Sequence, residues 1–109
     1  MRQDKVLSYI GLAMKSGNVF SGTFATEKAI KEGRAYVVII ACDVSDNTRE
    51  RYEKMCEYYH VPLFFYSTKE ELGHAIGKEY RASMAIVDQG LAKAIIQKIN
   101  QEVTDIWQK

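Results

Sequence analysis

The fold is decided by one apolar stretch in the first half of the chain, Tyr36-Val37-Val38-Ile39-Ile40-Ala41. Most of its residues are β-branched, and no charged residue interrupts it. Such a run is too short for a buried helix and is typical of a central strand that is covered on both faces. The sequence therefore predicts a sheet that is sandwiched between layers of helix.

Helical and extended patterns alternate on both sides of this strand. Apolar periodicity, capping residues and helix-stop glycines predict helices at about 3–15, 23–32, 48–59 and 69–76, and a last one from Asp88 onward. Further extended segments are predicted at 19–20, 63–66 and 83–87. Asp43, Ser45 and Asn47 are alternative N-caps for the third helix, and Asn47 is followed three residues later by Glu50.

This alternation predicts the fold class α/β, a three-layer α/β/α sandwich with a small mixed sheet of about four strands. A parallel Rossmann domain with a bound ligand is the alternative. The chain has neither G-x-G-x-x-G after a strand nor G-x-x-x-x-G-K-[ST], so no motif supports a dinucleotide or P-loop site. With 109 residues, 47% of them hydrophobic, and a single proline, residues 1–109 are expected to form one domain.

Charge and cysteine content narrow the class of protein. Cys42 and Cys56 have neither redox nor zinc spacing, and neither a signal peptide nor a membrane span is evident, so we expect a cytoplasmic protein. The net charge is only +1, but residues 1–36 carry six basic and three acidic residues, whereas residues 37–72 carry four basic and seven acidic ones. This asymmetry fits local binding of a polyanion, and it also fits a merely solvated surface.

The second helix carries the most informative pattern. Its apolar period assigns Ala25, Thr26, Ala29 and Ile30 to the core and turns Phe24, Glu27, Lys28 and Lys31 toward water. An aromatic ring at the first turn can stack on an unpaired base, while the lysines and the helix N-terminus attract phosphates. Alternatively, Phe24 packs under the Val19-Phe20 segment as a hydrophobic staple. The pattern alone leaves both interpretations open.

Several motifs, spread over nearly the whole chain, resemble a known family. They are Gly11-Leu12-Ala13-Met14-Lys15-Ser16-Gly17, Ser21-Gly22-Thr23, Lys28-Ala29-Ile30, Val38-Ile39-Ile40-Ala41-Cys42-Asp43, Cys56-Glu57-Tyr58-Tyr59-His60-Val61-Pro62 and Thr68-Lys69-Glu70-Glu71-Leu72-Gly73 through Ala75-Ile76-Gly77-Lys78. The chain resembles bacterial members of the ribosomal L7Ae and L30e superfamily, whose members bind kink-turns in RNA. The resemblance implies a non-catalytic RNA-binding protein on an α/β/α fold.

The resemblance also implies which residues contact RNA. The second helix, the loop after the first long strand and the loop before the last strand grip the RNA in that superfamily. The implied positions are Gly22 and Thr23 through their backbone, Lys28 on the helix, Asp43 after the strand, Arg81, Ala82 and Ser83 before the last strand, and Lys15 in the preceding basic segment. Lys31 is a candidate from the helical pattern alone.

One departure from the family pattern affects the expected specificity. Phe24-Ala25 stand where kink-turn binders of the superfamily carry an Asn-Glu pair whose glutamate accepts hydrogen bonds from guanines. Ala25 has no acceptor, and an unpaired base donor costs about 1–3 kcal/mol. We therefore expect altered or weaker sequence preference, with RNA recognised mainly by its shape and its unstacked bases.

Other functions have less support in the sequence. His60 and His74 have no partners at metal or nucleophile spacing, so we predict no catalytic site, no metal and no cofactor. The expected partner is structured ribosomal or other cellular RNA, bound by a monomer, without a membrane or a small-molecule substrate. One rival is a protein-interaction module that has lost RNA binding. Another is a small enzyme that uses Asp43, which would require a deep pocket at the end of the Tyr36–Ala41 strand.

Overall fold

The computed structural model describes residues 4–107, with side chains described up to residue 102. The predicted helix start at Gln3 and the side chains of Val103, Ile106 and Trp107 lie outside the described part. The elements in chain order are α1 (Lys5–Lys15), β1 (Val19–Ser21), α2 (Thr23–Lys31), β2 (Val37–Ile40), α3 (Asp46–Tyr59), β3 (Leu63–Phe65), α4 (Lys69–Ala75), β4 (Ser83–Ile86) and α5 (Gln89–Trp107).

The four strands form one mixed sheet in the order β1-β4-β2-β3. β2 pairs in parallel with β3, placing Val38 opposite Leu63, and antiparallel with β4, placing Ile39 opposite Met84. All four residues of β2 are buried, because the strand is central and is covered on both faces. The predicted mixed sheet is confirmed, and the wholly parallel alternative is wrong.

Helices cover both faces of this sheet. Val37 and Ile39 point into a core that is closed by α1, α4 and α5. Val38 and Ile40, one residue out of phase, point into a second core that is closed by α2 and α3. The period of two along β2 thus divides the interior into two halves, and the predicted three-layer sandwich is confirmed.

Side-chain caps set most of the helix starts. Asp4 Oδ1 accepts from the Leu7 amide at 3.0 Å, and Thr68 Oγ1 accepts from the Glu71 amide at 3.1 Å. The cap of α3 is Ser45, whose Oγ accepts from the Thr48 amide at 3.2 Å. α3 therefore begins two residues before the predicted start, because Ser45 and not Asn47 takes the capping position.

The strand directions bring several loops to one edge of the sheet. β1, β2 and β3 all end there, and β4 begins there, since Ser21 lies opposite Met84 and Ile40 lies opposite both Ser83 and Phe65. α2, α3 and α4 each follow one of these strand ends, so their N-termini lie along the same edge. The candidate site is formed at this edge, where the carboxyl ends of β1, β2 and β3 lie.

Candidate nucleic-acid interface

The Phe24 side chain is exposed to solvent at the start of α2. It is the second residue of the helix, and 81% of its surface is exposed. The hydrophobic-staple alternative is therefore wrong, because the ring is not packed under the Val19-Phe20 segment. Phe24 and Phe20 instead line a shallow hollow between them. The Arg34 guanidinium lies 4.7 Å from the centre of the Phe20 ring. The ring is free to stack on a planar ligand.

The first turn of α2 differs from the turns that begin α3 and α4. Its N-cap is Gly22, with φ 89° and ψ 165°, and no side chain caps the turn. The Gly22 amide donates to the Ser83 carbonyl at 2.9 Å, which fastens the start of α2 to the start of β4. Gly22 is thus placed at the predicted site, but its own amide is already engaged. The uncapped amides that follow it, beginning at Thr23, carry the positive end of the helix dipole.

Lys28 and Lys31 lie on the same side of α2 as Phe24. Both are exposed, and among residues 4–107 neither is paired with a carboxylate. Together with Thr23 and Phe24 they line one open hollow beside α3. The structure therefore brings the aromatic ring and the two lysines together at one hollow. Ala25, which was assigned to the core, is only half-buried at the edge of this surface.

The fourth residue assigned to this wet face, Glu27, was placed wrongly. Only 8% of its surface is exposed. Its Oε1 accepts from Arg51 Nη2 of α3 at 2.7 Å, while its Oε2 is buried and has no hydrogen-bond partner within the described residues. The partner stands 24 residues further along the chain, so the periodicity of α2 alone gave no signal of this pairing.

The loop before β4 reaches the same place from the other side. Arg81 Nε donates to Ser21 Oγ at 3.1 Å, directly before the Gly22 cap, and Nη1 donates to the Tyr80 carbonyl at 2.7 Å. The carbonyl of the half-buried Ala82 accepts from the Ala41 amide at 2.9 Å. The structure thus brings Arg81 to the N-terminus of α2, as predicted.

Ser83 is placed beneath this surface and not on it. It is fully buried, its Oγ accepts from the Tyr52 hydroxyl at 2.9 Å, and it donates to Thr26 Oγ1 at 3.3 Å. Burial raises the pKa of Tyr52, and the bond to Ser83 partly offsets this rise. Ser83 was predicted as one of the RNA-binding residues of this loop, but its buried side chain supports the surface from below and cannot contact a ligand itself.

The remaining two predicted residues lie further from Phe24. Asp43 is exposed and accepts from the Lys69 amide at 2.9 Å through Oδ1, in a hollow that also contains Tyr80. Asp43 thus holds the first amide of α4, beside the Thr68 cap. Lys15 is exposed at the end of α1, before β1 begins, at the sheet edge opposite Gly22. The structure does not bring Lys15 to the candidate site.

Two exposed residues at this surface were missed by sequence reasoning. Tyr80 is 59% exposed beside Arg81, and the aromatic-arginine pair in a predicted loop was a usable signal. Arg51 lines the hollow of Phe24, but it resembles any other charge on the solvated face of α3. Within residues 4–107 no group of three or more His, Cys, Asp or Glu side chains could hold a metal ion. No helix in the described part has the length and apolarity that crossing a membrane requires.

Comparisons with known proteins agree with this architecture. Two relatives, both called RNA-binding protein YlxQ, come from Bacillus subtilis (strain 168) and Enterococcus faecium. Each is 36% identical over 91 residues, which is 84% of this chain and respectively 91% and 87% of the relative.

Solved structures extend the likeness. A protein of unknown function from Bacillus halodurans C superposes with a TM-score of 0.87 at 28% identity, over 90% of this chain and 99% of that one. The Giardia lamblia 15.5kD RNA binding protein shares the fold, with a TM-score of 0.74 at 21% identity over 93% and 92% of the two chains. The model of the ribosomal protein L7Ae/L30e/S12e/Gadd45 family matches residues 4–96. The chain therefore belongs to the ribosomal protein L7Ae/L30e/S12e/Gadd45 family.

Proposed function

We propose that this protein binds structured RNA of the kink-turn type through the surface formed by Phe24, Lys28, Lys31 and Arg81. The observation that carries the proposal is the exposed Phe24 ring, which lies at an uncapped helix start and shares one hollow with two lysines that make no ion pair within the described residues. A stacking plane and phosphate-binding charges at one place suit a strand with unpaired bases. The names of the two relatives support the same class of ligand. One chain carries all of these groups, so we propose that it binds as a monomer.

Specificity should differ from that of relatives with an Asn-Glu pair. Ala25 follows Phe24 at the first turn and offers no hydrogen-bond acceptor to a base edge. We propose that the protein tolerates changes in the paired bases of its RNA and depends on the unpaired ones. Stacking by Phe24 and phosphate contacts by the lysines and Arg81 then supply most of the affinity.

The test compares two RNAs by filter binding across a series of salt concentrations. One is a hairpin with a bulge of unpaired nucleotides beside tandem G·A pairs, and the other is a fully paired hairpin of equal length. Phe24→Ala should weaken binding to the bulged hairpin by about 1–3 kcal/mol, which is about 5- to 150-fold, and should hardly affect the paired one. Lys28→Ala should weaken both and reduce the salt slope by about one.

Matched controls come from the same chain. Tyr58→Ala removes an aromatic ring that is 76% exposed near the end of α3, at the opposite sheet edge, and Lys93→Ala removes an exposed lysine of α5. Neither should change the affinity for either RNA. Equal effects of Phe24→Ala and Tyr58→Ala, or no binding by the wild type, would favour the alternative of a protein-interaction module on the same fold.

A further inference from the structure

The hollow beside Phe24 has a second wall that the proposed function leaves unused. This hollow, which we call the α2–α3 groove, has a volume of about 560 Å³ and is lined by Thr23, Phe24, Glu27, Lys28, Lys31, Glu32 and Arg51. Arg51 is its only lining residue from α3. The groove thus places a guanidinium across from the aromatic ring and the two lysines of α2.

The guanidinium of Arg51 is held in place yet remains accessible. Its Nη2 donates to Glu27 Oε1 at 2.7 Å, while 59% of its side chain is exposed. A guanidinium has five N–H donors in one plane, and within residues 4–107 Arg51 makes no other side-chain hydrogen bond. Fixing one edge of such a plane limits its orientations and leaves the other donors for a ligand.

The buried carboxylate of Glu27 is not explained by fold stability. Its side chain is 10% exposed, and its second carboxylate oxygen is buried without a hydrogen-bond partner among the described residues. A buried acceptor that loses water and gains no donor destabilises the folded state. A neutral or apolar residue would avoid that penalty. What the carboxylate does provide is a fixed anchor for Arg51.

We propose that Arg51, positioned by Glu27, binds a phosphate of the nucleotide next to the base that stacks on Phe24. The inference rests on the proposed RNA binding and extends that interface from α2 onto α3. Arginine binds phosphate through paired N–H donors, and Lys28 and Lys31 supply charge on the facing wall. Glu27 and Glu32 offset part of that charge, so the contact depends on the orientation of Arg51 and not on a strong local field.

The decisive variant is Glu27→Gln, because two explanations predict opposite signs. If charge alone matters, removing a carboxylate beside a polyanion should tighten binding. If Glu27 positions Arg51, the neutral amide holds the guanidinium less firmly, and affinity for the bulged hairpin should fall about threefold. Glu32→Gln is the matched control, since it removes an exposed carboxylate from the same groove and should tighten binding slightly.

Two Arg51 variants complete the experiment. Arg51→Ala should weaken binding of the bulged hairpin about tenfold and reduce the salt slope by about one. Arg51→Lys keeps the charge but loses the planar donors, so it should restore the salt slope without restoring the full affinity. Thermal unfolding of each variant shows whether the fold is intact, and so separates loss of binding from loss of structure. This control matters most for Glu27→Gln.

The outcomes distinguish this inference from the function on which it rests. If the wild type binds neither hairpin, the proposed function and the proposed Arg51 contact are both wrong. If Phe24→Ala weakens binding while Arg51→Ala does not, the RNA interface stands on α2 and does not extend to Arg51 of α3. If Glu27→Gln tightens binding as much as Glu32→Gln does, the positioning role of Glu27 is wrong.

Discussion

The two sides of the sheet bury different kinds of side chain. The core under α1, α4 and α5 is built from aliphatic residues such as Ile10, Leu72 and Ile95. Under α2 and α3 the interior also holds Thr26, Glu27 and Ser83, which are the buried polar or charged side chains of the part of the chain whose side chains are described. Both sides cover the same short strands, so strand composition alone does not explain the difference.

The location of these polar groups explains the difference. They lie directly beneath the first turn of α2 and the loop before β4, where the proposed RNA surface is formed. A hydroxyl chain from Tyr52 through Ser83 to Thr26 joins α3, β4 and α2 at fixed distances. Directional bonds specify one relative position of these segments, which apolar packing enforces less strictly. We infer that the apolar side mainly stabilises the fold and that the polar side mainly orders the binding surface.

The largest expected effect comes from a residue of the apolar side that touches the loop before β4. A Cβ at Gly73 of α4 would lie 2.7 Å from the Glu79 carbonyl oxygen and 2.8 Å from the Tyr80 nitrogen. Both are backbone atoms, so Gly73→Ala must displace the loop that carries Arg81. We expect the free energy of unfolding to fall by about 1–3 kcal/mol in urea titrations followed by circular dichroism. Affinity for the bulged hairpin should also fall several-fold.

Gly90→Ala is the matched control. The added Cβ would lie 3.5 Å from Asp88 Oδ2, an ordinary contact, in the first turn of α5. Alanine is favoured over glycine in a helix by roughly 0.5–1 kcal/mol, so stability should stay constant or rise, and RNA binding should not change. Equal losses of stability in the two variants would contradict the close packing of α4 against the loop.

A smaller effect on stability and a clear effect on binding are expected from Tyr52→Phe. The ring stays in place, but Ser83 loses the hydroxyl that donates to it. Stability should fall by about 1 kcal/mol, the usual contribution of one hydrogen bond, and affinity for the bulged hairpin should fall with it. Because Tyr52 and Ser83 share that bond, the effects of Tyr52→Phe and Ser83→Ala should not add in a double-mutant cycle.

The other side of the sheet supplies the comparison for Tyr52. Ile10→Val removes one methylene from the fully buried core under α1 and should also cost about 1 kcal/mol of stability. If the two sides have the roles inferred above, Ile10→Val leaves RNA affinity unchanged at temperatures where both variants are folded. A parallel loss of affinity in Ile10→Val would show that binding follows global stability and not the hydroxyl chain.

Patterns that depend on neighbours in sequence were predictive. The β-branched run predicted the central strand, since a strand that is covered on both faces is read as a nearly continuous apolar run. Thr68 was predicted as part of a capping box, and Asp88 as the cap of α5, because a capping side chain acts on amides within three residues. The helical period of α2 placed Phe24 opposite the core, and the structure decided between exposure and the hydrophobic staple. These signals fix the fold and one half of the candidate site.

The other half of the site depends on contacts between distant residues. Glu27 was assigned to water because a charged residue on a helix is usually solvated, yet Arg51 of α3 allows it to be buried. Ser83 was assigned to the surface by resemblance, but Tyr52, 31 residues away, holds its hydroxyl inside. Lys15 lies only seven residues before Gly22, but β1 separates them and takes the chain across the sheet. No local period carries such information.

The smallest predicted effect concerns the thiol of Cys56, which lies one turn after Tyr52 on the buried face of α3. Burial raises its pKa from 9.0 to about 11, because the thiolate would lose its hydration. The unfolded chain then releases this proton at lower pH than the folded chain. The thiol therefore contributes stability that is fully present below about pH 9 and is lost as the pH rises through about 11.

Comparing Cys56→Ala with the wild type isolates this contribution, since the raised pKa values of Tyr52 and Tyr66 are common to both proteins and cancel. We expect the advantage of the wild type in unfolding free energy to be larger at pH 8 than at pH 10. A constant difference for Cys56→Ala would mean that water reaches the thiol, and that the interior beneath the proposed RNA surface is more hydrated than its hydrogen-bonded hydroxyls indicate.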